Sequence, residues 1–128
     1  MPDHVPRIRR APLPDDVVAL VRGDTGEVDQ DRLDALSFRR RFPDWPGFGV
    51  SGFYAVSEEG IDDLARDVIR RFEALRVYDP AVLRHEGLDV LPTFRTPHVT
   101  IGFADLDHGL SVLASSLRQR RLNPYHGT

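Results

Sequence analysis

Apolar and polar residues alternate along parts of this chain in the pattern of β-strands. Residues 17–21 form a short, apolar, β-branched run, which predicts a strand buried on both faces. The alternation over residues 48–56 and again over residues 97–103 predicts two further strands with an apolar face. A fourth, shorter strand is predicted at residues 88–91.

Other segments show the three- and four-residue spacing of helices. The strongest apolar stripe follows Ser57, a residue type that caps helix N-termini. Its members are Ile61, Leu64, Ala65, Val68, Ile69 and Phe72. Weaker patterns predict helices over residues 31–42 and after the Asp79–Pro80 pair. A last helix is predicted with Asp107 as its cap, and the arginines of residues 118–121 then lie at its C-terminal end, where positive charge is favoured.

Strands that alternate with helices predict the fold class α+β, or a small α/β fold, with one central mixed β-sheet and three to four helices packed on it. Residues 17–122 are expected to form this single domain. Residues 1–16 contain four prolines and three arginines. Proline fixes φ and removes a hydrogen-bond donor, so an extended arm is predicted there. Residues 123–128 are predicted to form an irregular tail.

The composition restricts the class of protein. The chain has 128 residues, of which 41% are hydrophobic and 29% charged, values that exclude a disordered chain. No apolar run approaches the roughly 18 residues that a membrane span needs, so no membrane partner is expected. Cysteine is absent and the first residues do not resemble a signal peptide, so we expect a cytoplasmic protein. All 17 basic residues are arginine, so an anionic partner would be held by guanidinium groups.

The strand at residues 97–103 carries the first candidate for chemistry. His98 and Thr100 are two residues apart and therefore share the face opposite the apolar one. An imidazole transfers protons near neutral pH, and a hydroxyl can bind a substrate oxygen. Arg95 precedes them in a loop between two prolines, where it could neutralise a phosphate. The alternative is a histidine on the half-exposed face of an ordinary strand.

The pair His98 and Thr100 resembles one half of the two-histidine phosphoesterases, which carry two His-x-Thr/Ser motifs on neighbouring strands. The second match in this chain is His126-Gly127-Thr128. The resemblance implies that both histidines act on a phosphoester.

A second candidate follows the first predicted strand. ADP-ribosyltransferases often place an arginine near the end of their first strand and a serine or threonine in the next strand. Arg22 and Ser51 resemble these two elements, and the resemblance implies NAD as the cofactor. No Glu-x-Glu or Gln-x-Glu motif occurs, so Glu86 or His98 would stand in for the glutamate of that family. The alternative is a strand-end arginine paired with a nearby aspartate.

Clusters of arginine with interleaved aromatic residues are the third candidate. The arginines are those of residues 7–10, 39–41, 70–71 and 118–121. Guanidinium groups and aromatic rings together hold single-stranded RNA. Arg39, Arg40 and Tyr125 are therefore predicted to bind substrate, although arginine runs on a solvated face would look the same. The five histidines form no His-x-His or His-x-x-x-His pair, so no metal site is predicted.

Four stretches of the chain resemble a group of short uncharacterised proteins from high-GC bacteria. They are Pro92–Arg95, Pro97–Thr100, Asp105–Asp107 and Asn123–His126. Proteins of this size and compartment are often toxins of toxin–antitoxin pairs. The resemblance therefore implies a toxin-like protein, with a cognate antitoxin as a protein partner.

The leading hypothesis is a small cytoplasmic bacterial toxin-like enzyme acting on RNA, of a ribonuclease type that needs no metal or other cofactor. His98 would be its general acid and base. Arg95 and Arg22 would neutralise the phosphate, while Thr100 and Tyr125 would orient the substrate. Two alternatives remain: ADP-ribosyl transfer from NAD centred on Arg22 and Ser51, and a non-enzymatic protein whose arginine-rich arm binds a partner. A homo-oligomer is also left open.

Overall fold

A computed structural model describes residues 4–127, so residues 1–3 of the predicted arm and Thr128 of the predicted tail lie outside the described residues. The second His-x-Thr match ends at Thr128 and is therefore only partly described. The strands and helices of the described part are, in chain order, β1 (Ala19–Asp24), α1 (Gln30–Arg41), β2 (Phe48–Ala55), α2 (Glu58–Asp67), β3 (Ala74–Tyr78), α3 (Pro80–His85), β4 (Asp89–Pro92), β5 (His98–Phe103), α4 (Leu106–Ser115) and β6 (Leu117–Leu122).

The strands form one six-stranded sheet in the order β4-β5-β2-β1-β3-β6. The α+β class is confirmed, with one central sheet and four helices packed on it. Every ladder of this sheet is antiparallel, so the sheet is not mixed as expected. The reason is that α1 connects two strands that are antiparallel neighbours, whereas a mixed sheet needs helical crossovers between parallel strands.

The helices bury the two faces of the sheet unequally. The three-helix face is covered by α1, α3 and α4, which contribute Ala35, Leu83, Val112 and Leu113 to one apolar core. Of the helices in residues 4–127, only α2 covers the opposite face, here called the α2 face. Ile61, Leu64 and Ala65 of α2 pack there against β1 and β3. The α2 face over β2 and β5 is therefore left without a helix of its own.

Two strands and one helix end differ from the sequence-based predictions. β3 and β6 were not predicted, and the arginines of residues 118–121 lie in β6 rather than at a helix C-terminus. β6 is an edge strand whose side chains are mostly exposed, so it lacks the apolar alternation that marks a strand. The cap of α4 is Asp105 rather than Asp107, and Asp105 Oδ1 accepts the His108 backbone N–H at 2.7 Å.

The sheet opens between β1 and β2. These strands pair over three positions only, the last of them Val21 with Phe53. Beyond that point β1 continues along β3 to Asp24, and β2 runs back along β5 to Phe48. Helix α1 lies across the resulting gap: its Ala35 joins the core of the three-helix face, while its Phe38 packs against Gly49 on the α2 face. This gap positions the site described below.

The arm and the tail both pack on the domain where they are described. Ile8 forms an antiparallel bridge with Thr93, next to β4. In the tail, Asn123 Nδ2 donates to the carbonyl oxygens of Ala65 and Ile69, both at 3.1 Å, and so closes the C-terminal end of α2. Among residues 4–127, no helix has both the length and the apolar character needed to cross a membrane.

Candidate functional site

A cleft of about 540 Å³ lies on the α2 face, beside the gap between β1 and β2. Gly49, Ser51 and Phe53 of β2 form its floor. One wall comes from α1 and from the loop before β5, and the other comes from the segment that follows α2. His98, Arg22 and Ser51, predicted from three separate segments, all line this cleft.

His98 is held in the cleft by a chain of hydroxyl groups. Its Nδ1 lies 2.8 Å from Thr93 Oγ1, which in turn lies 2.8 Å from Thr100 Oγ1. The rings of Phe53 and Phe94 meet the imidazole edge-on, with centroids at 5.3 and 5.1 Å. Within residues 4–127, Nε2 forms no hydrogen bond. The second ring nitrogen is therefore free to exchange a proton with a bound molecule.

Burial lowers the pKa of His98 to about 4, so the ring is neutral at physiological pH. A hydrogen bond with the Thr93 backbone opposes this shift, and the positive charges of Arg9 and Arg41 add to it. Depending on the tautomer, Nε2 of the neutral ring is a proton acceptor or a donor, and the direction of the hydroxyl chain sets which.

At the other end of the cleft, Arg22 is engaged within the protein. Its guanidinium is almost completely buried. Nε donates to the Ser51 carbonyl oxygen at 2.9 Å, across the gap between β1 and β2. Nη1 pairs with Asp31, and Nη2 donates to Asp34 Oδ2 at 2.7 Å. Two carboxylates of α1 thus neutralise Arg22, so its position fits the structural alternative of a strand-end arginine paired with aspartates.

Helix α1 presents one side to the cleft. The residues of α1 and its C-cap that line it are Gln30, Asp34, Ser37, Phe38, Arg41 and Phe42, which follow the spacing of a single helical face. Gly49 allows this close packing, because a Cβ atom there would lie 2.9 Å from the Phe38 ring. Arg39 and Arg40 fall outside this face. The guanidinium of Arg39 instead stacks on Phe48 and donates to the Gly47 carbonyl oxygen.

Two exposed arginines stand on opposite walls of the cleft. The Arg41 guanidinium lies 4.8 Å from the Phe42 ring centroid and 5.5 Å from that of Phe94. The Arg71 guanidinium lies 4.9 Å from the Phe72 centroid. In the described part of the chain neither arginine forms a salt bridge, in contrast to Arg22. Both charges are therefore available to an anion in the cleft.

The remaining predicted site residues lie outside this cleft. Thr100 is buried beneath Thr93 and reaches His98 only through the Thr93 hydroxyl. Arg95 and Arg40 are exposed and do not line the cleft. Tyr125 packs beside α2, where its hydroxyl donates to Asp62 Oδ2 at 2.7 Å. The structure thus places Thr100 behind the partner of His98 and does not bring Arg95, Arg40 or Tyr125 to the same place as His98.

The cleft lacks the glutamate that the ADP-ribosyltransferase resemblance implies. No glutamate of residues 4–127 lines it, and Glu86 lies at the end of α3, where its carbonyl oxygen bonds His108. No group of three or more His, Cys, Asp or Glu side chains in residues 4–127 is arranged to hold a metal ion.

Sequence reasoning gave no individual role to several residues of the cleft. Arg41 and Arg71 belong to the predicted arginine clusters but were not singled out, and Thr93, the direct partner of His98, was missed. The helical phase of α1 is a signal that separates Arg41 from Arg39 and Arg40, since Arg41 is seven residues after Asp34. Arg71 carries no such signal, because α2 ends at Asp67 and the following segment is irregular.

Comparison of the chain with protein-family models, with curated proteins and with solved structures gives no match.

Proposed function

We propose that this protein is a small cytoplasmic toxin-like enzyme that cleaves single-stranded RNA, with His98 as its proton-transfer group. The observation that carries the proposal is the environment of His98: Nδ1 is fixed by Thr93 while Nε2 is left for a substrate. Oriented imidazoles of this kind act as general bases and acids.

The proposed reaction is cleavage through the neighbouring 2′-hydroxyl. His98 Nε2 takes the proton of the 2′-hydroxyl as its oxygen forms a bond to phosphorus. The bond from phosphorus to the 5′-oxygen breaks, and the imidazolium returns its proton to that leaving oxygen. The products are a 2′,3′-cyclic phosphate and a 5′-hydroxyl. The negative charge of a bound phosphodiester raises the pKa of His98 from its low value in the free protein towards the range that suits proton transfer.

The walls of the cleft supply binding groups of matching chemistry. Arg41 and Arg71 place positive charge at its edges for the phosphate backbone, and this part was given to Arg95 and Arg22 in the sequence-based hypothesis. Phe53 and Phe94 offer rings on which an unpaired base can stack. Ser51 is exposed on the floor and can donate a hydrogen bond to the substrate.

The experiment compares three proteins on a fluorescent single-stranded RNA. They are the wild type, His98→Ala and the matched control His85→Ala, whose histidine is exposed on α3 outside the cleft. We expect His98→Ala to lower turnover by about 10²–10⁴-fold with little change in melting temperature, and His85→Ala to match the wild type. A substrate with 2′-deoxyribose at the cleaved position should be resistant. Cleavage of that substrate, or equal turnover by His98→Ala, would refute the mechanism.

Growth after overexpression tests the toxin part of the proposal. The wild type is expected to inhibit a bacterial host, and the soluble His98→Ala variant is expected not to. Co-expression of a small neighbouring gene should restore growth if that gene encodes the cognate antitoxin. Equal growth of both strains would contradict the toxin hypothesis and favour a non-enzymatic binding protein.

ADP-ribosyl transfer is the second candidate, favoured by one contact. Arg22 and Ser51 meet in the cleft, through the bond from Arg22 Nε to the Ser51 carbonyl oxygen. Incubation with radiolabelled NAD distinguishes this candidate, because transfer of label to protein or RNA would support it and RNA cleavage without labelling would exclude it.

A further inference from the structure

The N-terminal arm contacts the segment that carries His98. The Arg9 backbone N–H donates to the Pro92 carbonyl oxygen at 2.8 Å, and the Phe94 N–H donates to the Arg7 carbonyl oxygen at the same distance. Ile8 forms its bridge with Thr93 between these two bonds. The arm therefore adds a short extended strand along the turn between β4 and β5.

The Arg9 side chain makes a second connection, inside this turn. Its Nη1 donates to the Thr93 carbonyl oxygen at 2.6 Å and to the His98 carbonyl oxygen at 2.8 Å. These are the two residues whose side chains form the Nδ1 to Oγ1 hydrogen bond. One guanidinium thus joins the backbones of the histidine and of its hydroxyl partner.

The turn contains a strained residue that such contacts stabilise. Phe94 has φ of +55°, a left-handed conformation that is rare for a bulky side chain. Strained conformations of this kind persist only where the surroundings fix them, and they are common at functional sites. The bond from Phe94 N–H to Arg7 provides one such constraint, and the Phe94 ring then lies against both Arg41 and His98.

We propose that Arg9 is a positioning residue: by joining the carbonyl groups of Thr93 and His98, it holds the imidazole and its hydroxyl partner in the geometry that proton transfer requires. The role in turnover rests on the proposed function, since Arg9 acts on RNA only through His98. The positioning itself is independent of any substrate and can be measured directly. On this proposal the N-terminal arm helps to position His98, in addition to being an extended segment that could reach a partner.

The first measurement is an NMR titration of the full-length protein, in which the His98 ring signals are identified by their absence in His98→Ala. In Arg9→Ala we expect the pKa of His98 to rise from about 4 towards its ordinary value of about 6.5, because a nearby positive charge is removed and the ring becomes more accessible to water. Contacts between the His98 ring and Thr93 should weaken. Arg10→Ala is the matched control, because Arg10 is the next residue along the arm and is exposed.

The second measurement is the kinetics of RNA cleavage. Misplacing a catalytic group by about 1 Å can lower turnover by about 10²-fold, so kcat of Arg9→Ala should fall by up to that factor while KM stays close to the wild-type value. Arg9→Lys keeps the charge, but its ammonium ends one bond short of the position of Nη1, the single atom that donates to both carbonyl groups. It should therefore keep most of the low pKa of His98 and still lose turnover, and it serves as the second variant if Arg9→Ala folds poorly.

The outcomes separate the two proposals. An unchanged His98 titration and unchanged Thr93 contacts in Arg9→Ala, or equal changes in Arg10→Ala, would overturn the positioning role even if the protein cleaves RNA. A wild-type protein that does not cleave RNA would refute the proposed function, while the NMR result would still decide whether Arg9 positions His98.

Discussion

The two ends of the cleft differ in how their polar groups are used. At the Arg22 end, one buried guanidinium is bound by a carbonyl oxygen and two carboxylates, and Gln30 bonds both Gly23 and Thr25. At the His98 end, one ring nitrogen is bound, while within residues 4–127 the other forms no hydrogen bond and the exposed Arg41 beside it forms no salt bridge. Arg22 and His98 were both predicted as site residues, but their surroundings give them different roles: Arg22 holds the framework together, and His98 remains available for chemistry.

The physical reason lies in the gap between β1 and β2. Where these strands separate, the backbone of β2 loses a ladder partner, and a carbonyl group that is partly shielded from water destabilises the fold when it has no hydrogen-bond donor. Arg22 donates the missing hydrogen bond to the Ser51 carbonyl oxygen, and its positive charge pairs with the carboxylates of Asp31 and Asp34 on α1. His98 lies on β5, whose ladder with β2 is complete, so its side chain has no such role to fill.

The largest expected effect is a loss of stability in Arg22→Ala. The substitution leaves Asp31 and Asp34 without this partner and leaves the Ser51 carbonyl group unsatisfied. Breaking a buried ion pair on one side costs about 3–5 kcal/mol, so the free energy of unfolding, measured by urea denaturation, should fall by that amount.

The matched control for Arg22 is Arg32→Ala. Arg32 also pairs with an aspartate, but both side chains are largely exposed, so its removal should change stability by less than about 1 kcal/mol. If Arg22→Ala kept its stability and lost only activity, Arg22 would belong to the chemistry, as the ADP-ribosyltransferase resemblance implies, and the contrast between the two ends would be wrong.

The sequence predicted the regular parts of the fold because their signal is local. The apolar stripe after Ser57 and the alternation around His98 place α2 and β5 correctly. The stripe also predicted Val68 as a core residue, which is wrong: α2 ends at Asp67, and Val68 is 42% exposed. A helix end set by tertiary packing is not encoded in spacing alone.

The sequence could point to individual residues of the candidate site, but not to the way in which the fold brings them together. His98 was predicted from its chemistry and its position on a strand, whereas Arg22 and Ser51 were predicted from the resemblance to ADP-ribosyltransferases; all three line the cleft. What the sequence could not show is which guanidinium groups are neutralised by distant carboxylates. Arg22 and Arg41 look alike in sequence, and only the arrangement of α1 pairs one with two aspartates and leaves the other without a salt bridge in the described part of the chain.

A smaller effect concerns the dependence of stability on pH. The unfolded chain binds a proton at His98 near pH 6.5, whereas the folded protein binds it only near pH 4. Between these values the unfolded state holds more protons, so stability falls as the pH decreases from 6.5 towards 4. Because the ring is only partly buried, we expect a loss of about 2–3 kcal/mol from this group.

Denaturation of the wild type and of His98→Gln at pH 7.5 and 4.5 measures this contribution. The protein also loses stability in acid when carboxylates paired with arginines, such as Asp67, are protonated. The difference between the two proteins is therefore the informative quantity. The wild type should lose more stability than the variant. Equal losses would mean that water reaches the His98 ring and that its pKa is that of an exposed histidine. The contrast between the two ends of the cleft would then be wrong.

The smallest expected effect is on RNA affinity, through Arg41→Ala. One unpaired guanidinium at an exposed edge contributes roughly 1 kcal/mol to an ionic contact, which is about fivefold in affinity. Each phosphate contact to a single strand also contributes about −0.7 to the slope of log affinity against log salt concentration. Arg41→Ala should therefore bind fluorescent RNA about fivefold more weakly at low salt, with a slope less steep by about 0.7.

Arg40→Ala is the adjacent control, because Arg40 lies outside the cleft-lining face of α1 and should keep both the affinity and the slope. If Arg40→Ala were the variant that changed them, RNA would follow the outer side of α1, as the arginine cluster alone predicts, and the His98 end of the cleft would lose its proposed phosphate contact.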